Sequence, residues 1–292
     1  MQDLRSIKQR MGATRNILKI ADAMKMVSTV KYWRLQEALR RARAIGEEVA
    51  VFIPPGPRVE DDDGDGGPPH MEPGIDVTGD PPAGRTLVLV FFPHRGMCGP
   101  LTQNLSHAVA GWYPTPGEEC FAVFGRKGAS TLPEERFPRV EGAPELSTEG
   151  LDETSISSLN RFIAEGVTGG RFTRVEAVTA EFRNLLRQSP MRLQIFPLPE
   201  APGEDPCVDT ELEPDADTLL RLFLPIYLEC LLRRLVLECM VSEHASRMTA
   251  MDSASKNAQE LLEQFRLEYN KIRQSKITLE LMEIISGSEA LQ

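Results

Sequence analysis

Between Ile226 and Ser286 the chain has no proline and no glycine, and this stretch constrains everything else. Starting at Met248, apolar residues recur as Met251, Ala258, Leu262, Phe265, Tyr269, Ile272 and Leu279. The steps are threes, fours and their sums, the period of a helix that keeps one stripe against another helix. A helix of about sixty residues runs about 90 Å at about 1.5 Å per residue, beyond the width of a compact domain. Such a helix needs a partner.

The other end of the chain supplies one. Residues 2–53 carry Leu4, Ile7, Met11, Leu18, Ala21, Met24, Val27, Leu35, Ala38, Ala42, Ile45, Val49 and Phe52 along one side, predicting a second long helix. It stops at Pro54, Pro55 and Pro57, because proline lacks the N–H and clashes with the preceding turn. Its polar face is basic: Arg5, Lys8, Arg10, Arg15, Lys19, Lys25, Lys31, Arg34, Arg40, Arg41 and Arg43. That face reads either as ordinary solvated surface or as a positive side turned to acidic partners. The two terminal helices pair most simply as an antiparallel coiled coil.

Residues 54–84 are Pro, Gly and Asp throughout and too poor in apolar surface to offset ordering entropy, so a disordered loop is expected. The run Asp61–Asp65 has a superficial likeness to a calcium loop, but Pro68 and Pro69 interrupt it and flanking helices are lacking. Residues 85–212 change character. Thr86–Phe92 is a continuous apolar run suited to a strand buried on both faces. A helix over 101–112, a strand over 120–124, a helix over 155–165 and strands over 174–180 and 192–197 follow. The expected fold is therefore α/β plus a long α-helical coiled coil: helix 1–53, loop 54–84, a small Rossmann-like α/β domain inserted at 85–212, and helix 213–292.

The function classes narrow in the same way. Between the first strand and its helix lie His94, Arg95, Gly96, Met97, Cys98 and Gly99, where a thiol nucleophile would sit. The stronger reading is a tight turn with Cys98 as a small buried residue, since nearness in sequence is not triad geometry. Neither G-x-G-x-x-G nor a phosphate loop occurs, and the four His are too dispersed for a metal site. No cofactor is expected. A net charge of −10 argues against nucleic-acid binding by the whole chain. No run of eighteen apolar residues spans a membrane. Asp3, Arg5, Lys8 and Arg10 stand where a signal peptide has its apolar core, and the first residues already follow the helical pattern, so a bacterial cytoplasm is expected. Five scattered Cys read as reduced thiols.

The two ends resemble those of ATP synthase gamma subunits, the central rotor shaft of the F-type machine. Residues 23–28, A-M-K-M-V-S, are similar to a family segment, as are residues 7–10, I-K-Q-R. Residues 277–287, I-T-L-E-L-M-E-I-I-S-G, resemble the signature I-T-x-E-x-x-E-I-x-x-G. Residues 245–251, A-S-R-M-T-A-M, and 269–274, Y-N-K-I-R-Q, are similar to two further segments. The turn at 95–99 resembles the family's D-R-G-L-C-G, and Glu213, Pro214 and Asp215 its E-P-D. Departures concentrate at that turn, with His94 for Asp, Pro100 for Gly and Thr102 for Asn, while the acidic loop matches nothing in the family.

The resemblance implies a non-catalytic rotor subunit coupling ion-driven rotation to ATP synthesis or hydrolysis. Its partners would be the ring of alpha and beta subunits, the epsilon subunit and the c-ring, with no nucleic acid. Its place would be peripheral on the bacterial inner membrane, on the cytoplasmic side. It points to Met24, Lys25, Arg247, Arg273, Gln274 and Thr278 as rotor–stator contacts and to Glu213 as a c-ring or epsilon contact. For each of these, ordinary helix surface is the plainer alternative. A gamma-like subunit of a second ATP-driven ion pump and a Cys98 thiol enzyme are the other function classes left open.

Overall fold

The computed structural model describes residues 4–50, 85–114, 117–198 and 216–289; the expected loop 54–84, Cys207 and Glu213 lie outside them. Two long helices and a small sheet domain are present. The helices are α1 (Leu4–Ala50) and, at the far end, α5 (Ala216–Glu289), the latter running through Pro225. Between them come β1 (Arg85–Phe91), α2 (Leu101–Trp112), β2 (Glu119–Phe124), α3 (Arg126–Thr131), α4 (Glu153–Thr168), β3 (Phe172–Phe182) and β4 (Gln188–Phe196). The chain forms two compact units, one from Met1–Thr29 with Arg247–Gln292, the other from Val30–Ser246.

In the larger unit the sheet order is β2-β1-β3-β4. β1 runs parallel to both β2 and β3, and β4 closes the edge antiparallel to β3. Central β1 is buried on both faces, as its unbroken apolar run requires. Leu87, Leu89 and Phe91 join a core made with Ile156, Leu159 and Ile163 of α4 and Leu228–Met240 of α5. Val88, Val90 and Phe92 face the opposite way, onto Leu101, Leu105 and Val109 of α2. Asp152 starts α4 by accepting from the Thr154 N–H at 3.2 Å. Gly125, at φ +87°, turns the chain from β2 into α3, a helix too short to register as a pattern in the sequence. A Cβ there would lie 2.1 Å from the Phe92 carbonyl oxygen, so only glycine fits. Pro190 falls in β4, an edge strand, where its missing N–H costs no ladder bond.

Within the same unit Tyr32, Leu39 and Ala42 of α1 pack with Leu237, Val241 and Ala245 of α5 and with Phe182. In the smaller unit the buried and half-buried positions of α5 include Met251, Ser255, Ala258, Leu262, Phe265, Tyr269 and Ile272, in steps of four and three. On α1 they include Leu4, Ile7, Met11, Thr14, Leu18, Ala21, Lys25 and Ser28, again a strict heptad seam. Asp22 meets Ser255 and Lys25 meets Asp252. The number rises by three on one helix and falls by three on the other, so the pairing is antiparallel. The expected stripe departs from this seam at three places: Val27, Ile45 and Leu279 are exposed. On α1 the looser 3.6-residue reading drifts off the heptad, and small or polar Ser28 takes the inward place beside Val27.

Candidate functional site

Two features of the terminal helices bear on function: a polar lock inside the seam and an apolar end outside it. Lys25 Nζ lies 2.5 Å from Asp252 Oδ1, and Lys256 reaches the other oxygen of that carboxylate at 2.7 Å. The hydrogen bond from Lys25, followed by that from Lys256, lowers the Asp252 carboxyl from its ordinary 3.8 to about 2. Ser255 Oγ donates to Asp22 at 2.6 Å. A polar group at a heptad position costs stability but admits one register only, because any slip leaves it without its partner.

Beyond Ile272 the described positions of α5 are all exposed, among them Ile277, Leu279, Leu281, Met282, Ile284 and Ile285. Leu279 is 55% exposed although it continues the heptad. Six large apolar side chains are thus exposed within the last four turns of the helix, a concentration of the kind that accompanies interaction sites.

The residues singled out in the sequence occupy different settings. Arg273, Gln274 and Thr278 are exposed on α5, Thr278 bonding its own helix at Gln274 O. Met24 is half-buried beside the seam, and Lys25 turns toward Asp252 with its side chain 43% exposed. Arg247 is only 2% exposed and so offers no guanidinium face at the surface. The basic face of α1 is partly neutralised within the chain. Arg40 and Arg41 reach Glu37, which these bonds hold below the usual carboxylate range. Arg43 turns inward to Glu238.

The β1–α2 turn is a structural joint. Glu243 accepts from the backbone N–H groups of His94 at 2.7 Å and Arg95 at 3.3 Å, and Ser246 Oγ donates to Cys98 O at 2.6 Å. The His94 ring meets Glu149 at 3.2 Å instead of Cys98. Cys98 is 2% exposed, with its sulfur near Arg95 O and Thr102 Oγ1. The buried-residue reading of Cys98 therefore holds. Among the described residues no cluster of His, Cys, Asp or Glu is arranged to hold a metal, and no helix is long and apolar enough to cross a membrane.

The sequence reading missed Asp22, Asp252, Glu238 and Glu243. A strict heptad frame would have flagged the first two as flanking or facing Lys25; the buried pair of glutamates leaves no periodic trace.

A family model described as ATP synthase matches residues 3–291. An ATP synthase gamma chain of Geotalea daltonii is 33% identical over 298 residues, covering all of both chains. A chain of the Euglena gracilis mitochondrial ATP synthase shares the fold at a TM-score of 0.64 and 17% identity, covering 99% of this chain and 94% of that one. A chain from the Tetrahymena thermophila mitochondrial ATP synthase central stalk and c-ring aligns at a TM-score of 0.55 and 18% identity, over 81% of this chain and 99% of that one. Full-length likeness to gamma chains does not favour a second pump or a thiol enzyme.

Proposed function

Because the chain belongs to the ATP synthase gamma-chain family, in which it is the non-catalytic central-stalk rotor subunit, we propose that its C-terminal helix end is the bearing surface of that rotor. The observation supporting this is the exposed apolar run from Ile277 to Ile285, which lies past the seam and would be covered by an external apolar sleeve. The alpha and beta subunits would form that sleeve, with nucleotide chemistry on their side. Arg273, Gln274 and Thr278, all exposed on the same end, would hydrogen-bond ring carboxylates or carbonyls, Arg273 bidentately. Met24 stands beside Lys25, which itself forms the register lock, and both would meet the ring at its α1 side. Arg247, being buried, would act by fixing the helix instead of touching the ring. Glu213 would face the epsilon subunit or c-ring.

A ring of repeated subunits around an unlike pair of helices presents each beta subunit with a different face. Contacts that differ between open and closed conformations shift their equilibrium by that difference, and linkage makes the effect reciprocal. The chain belongs to a membrane-associated complex. Its place would be peripheral, on the cytoplasmic side of a bacterial inner membrane, a reading supported by the bacterial sources of its relatives. Purification through an affinity tag on this chain tests the assignment. Alpha and beta subunits are expected to co-purify, and their absence from a gently solubilised membrane preparation would contradict it.

A further inference from the structure

Four hydrogen bonds fasten the sheet domain to one stripe of α5. Thr179 Oγ1 donates to Leu235 O at 3.4 Å, and the Phe182 N–H donates to Glu238 Oε2 at 2.9 Å. Ser242 Oγ donates to Ala180 O at 2.9 Å, and Ser246 Oγ to Cys98 O at 2.6 Å. Positions 235, 238, 242 and 246 follow steps of three and four, so the bonds share one helix face.

The second of these bonds belongs to a closed ring of three residues. Arg43 of α1 donates to Glu238 Oε1 through Nε at 2.9 Å and Nη2 at 2.5 Å, and Nη2 also donates to Phe182 O at 3.1 Å. The Phe182 peptide is thus gripped on both sides, while its ring lies against Tyr32 of α1 with centroids 5.7 Å apart. Glu238 is 0% exposed, and Arg234 stands 3.8 Å from it as a second cation. The last residue of β3 is therefore tied to α1 and α5 at a single point.

Apolar packing is non-directional and lets surfaces slide. A buried carboxylate does not allow this, since displacement by even one residue strands a charge in a low-dielectric interior. We propose that Arg43 and Glu238 form a torque clamp, positioning residues that keep the sheet domain from slipping on its two helices under load. The proposal rests on the rotor reading and adds the point where load passes between domain and helix.

The test uses the assembled complex in inverted membrane vesicles, comparing ATP hydrolysis with the ATP-driven potential reported by a voltage-sensitive dye. Arg43→Met is expected to lower the potential built per ATP by about fivefold, the low end of a coupling free energy, with Arg43→Lys falling between it and wild type. The double variant Arg43→Met with Glu238→Leu replaces the buried pair by apolar groups. It should regain thermal stability but not coupling. Wild-type coupling in both single variants, or coupling that returns with stability in the double variant, would overturn the clamp. If Arg43→Met does not assemble, Arg43→Lys decides by itself. A wild-type chain that never enters the complex would overturn the rotor reading and the clamp with it, whereas coupled variants overturn the clamp alone.

Discussion

Lys25 and Asp252 meet at 2.5 Å across the seam of the two terminal helices, at a heptad position where apolar residues are the rule. The pair therefore fixes register more than it adds stability, since a part-exposed ion pair contributes little by itself. Its carboxyl titrates at about 2 in the folded chain against an ordinary 3.8. A depressed value means that the folded state binds the proton more weakly, so the stabilisation is complete above 3.8 and is lost as pH falls through about 2. In urea unfolding of the isolated subunit, Asp252→Asn should be less stable than wild type at neutral pH. The gap should narrow as the pH drops below the ordinary carboxylate value. A gap that widens in acid would contradict this.

Leu262 and Leu279 continue one heptad pattern but differ in setting, 6% against 55% exposed. Leu262→Ala should cost about 2 kcal/mol or more in the isolated subunit, in the range for a buried leucine. Leu279→Ala should stay within about 0.5 kcal/mol of wild type, as surface changes do. The functional order is expected to reverse: Leu279→Ala should weaken assembly with an alpha–beta ring, measured by the concentration of subunit needed to form the complex.

Arg273→Ala should leave the folded subunit intact, because the side chain is exposed. ATP hydrolysis by the assembled complex should then drive less ion transport per turnover. Unchanged transport per ATP would remove Arg273 from the contact set.

Gly125→Ala should destabilise the sheet domain by about 2 kcal/mol or more, since it combines a positive φ with a Cβ placed 2.1 Å from the Phe92 carbonyl oxygen. Thermal unfolding followed by circular dichroism measures this. Gly150→Ala is the control, because nothing lies within 4 Å of its added methyl.

The legible parts of this fold are those that periodicity writes directly. The strand at β1 and the helix at α2 appear within a residue of their expected bounds, because an unbroken apolar run and an amphipathic one are different signals. Both long terminal helices were legible from spacing, and so were most of the residues that turn inward, but not all. Val27 and Ser28 are adjacent, and the apolar one faces out because a 3.5-residue seam selects by position before type. Helix α3 was missed, being a single turn and a half set by Gly125. Strand β4 begins earlier than expected, since antiparallel pairing with β3 carries it back through Pro190 to Gln188. Glu238 and Glu243 illustrate the harder limit. In sequence they are helix glutamates like many exposed ones, and only the tertiary placement of Phe182, His94 and Arg95 makes them buried acceptors.

Attaching a bead to the sheet domain of this subunit, in a complex with an immobilised ring of alpha and beta subunits, measures the central claim most directly. With ATP supplied, the bead should turn stepwise in one direction. A ring that hydrolyses ATP at full rate around the bound subunit while the bead only diffuses would contradict the assignment of α1 and α5 as the driven element.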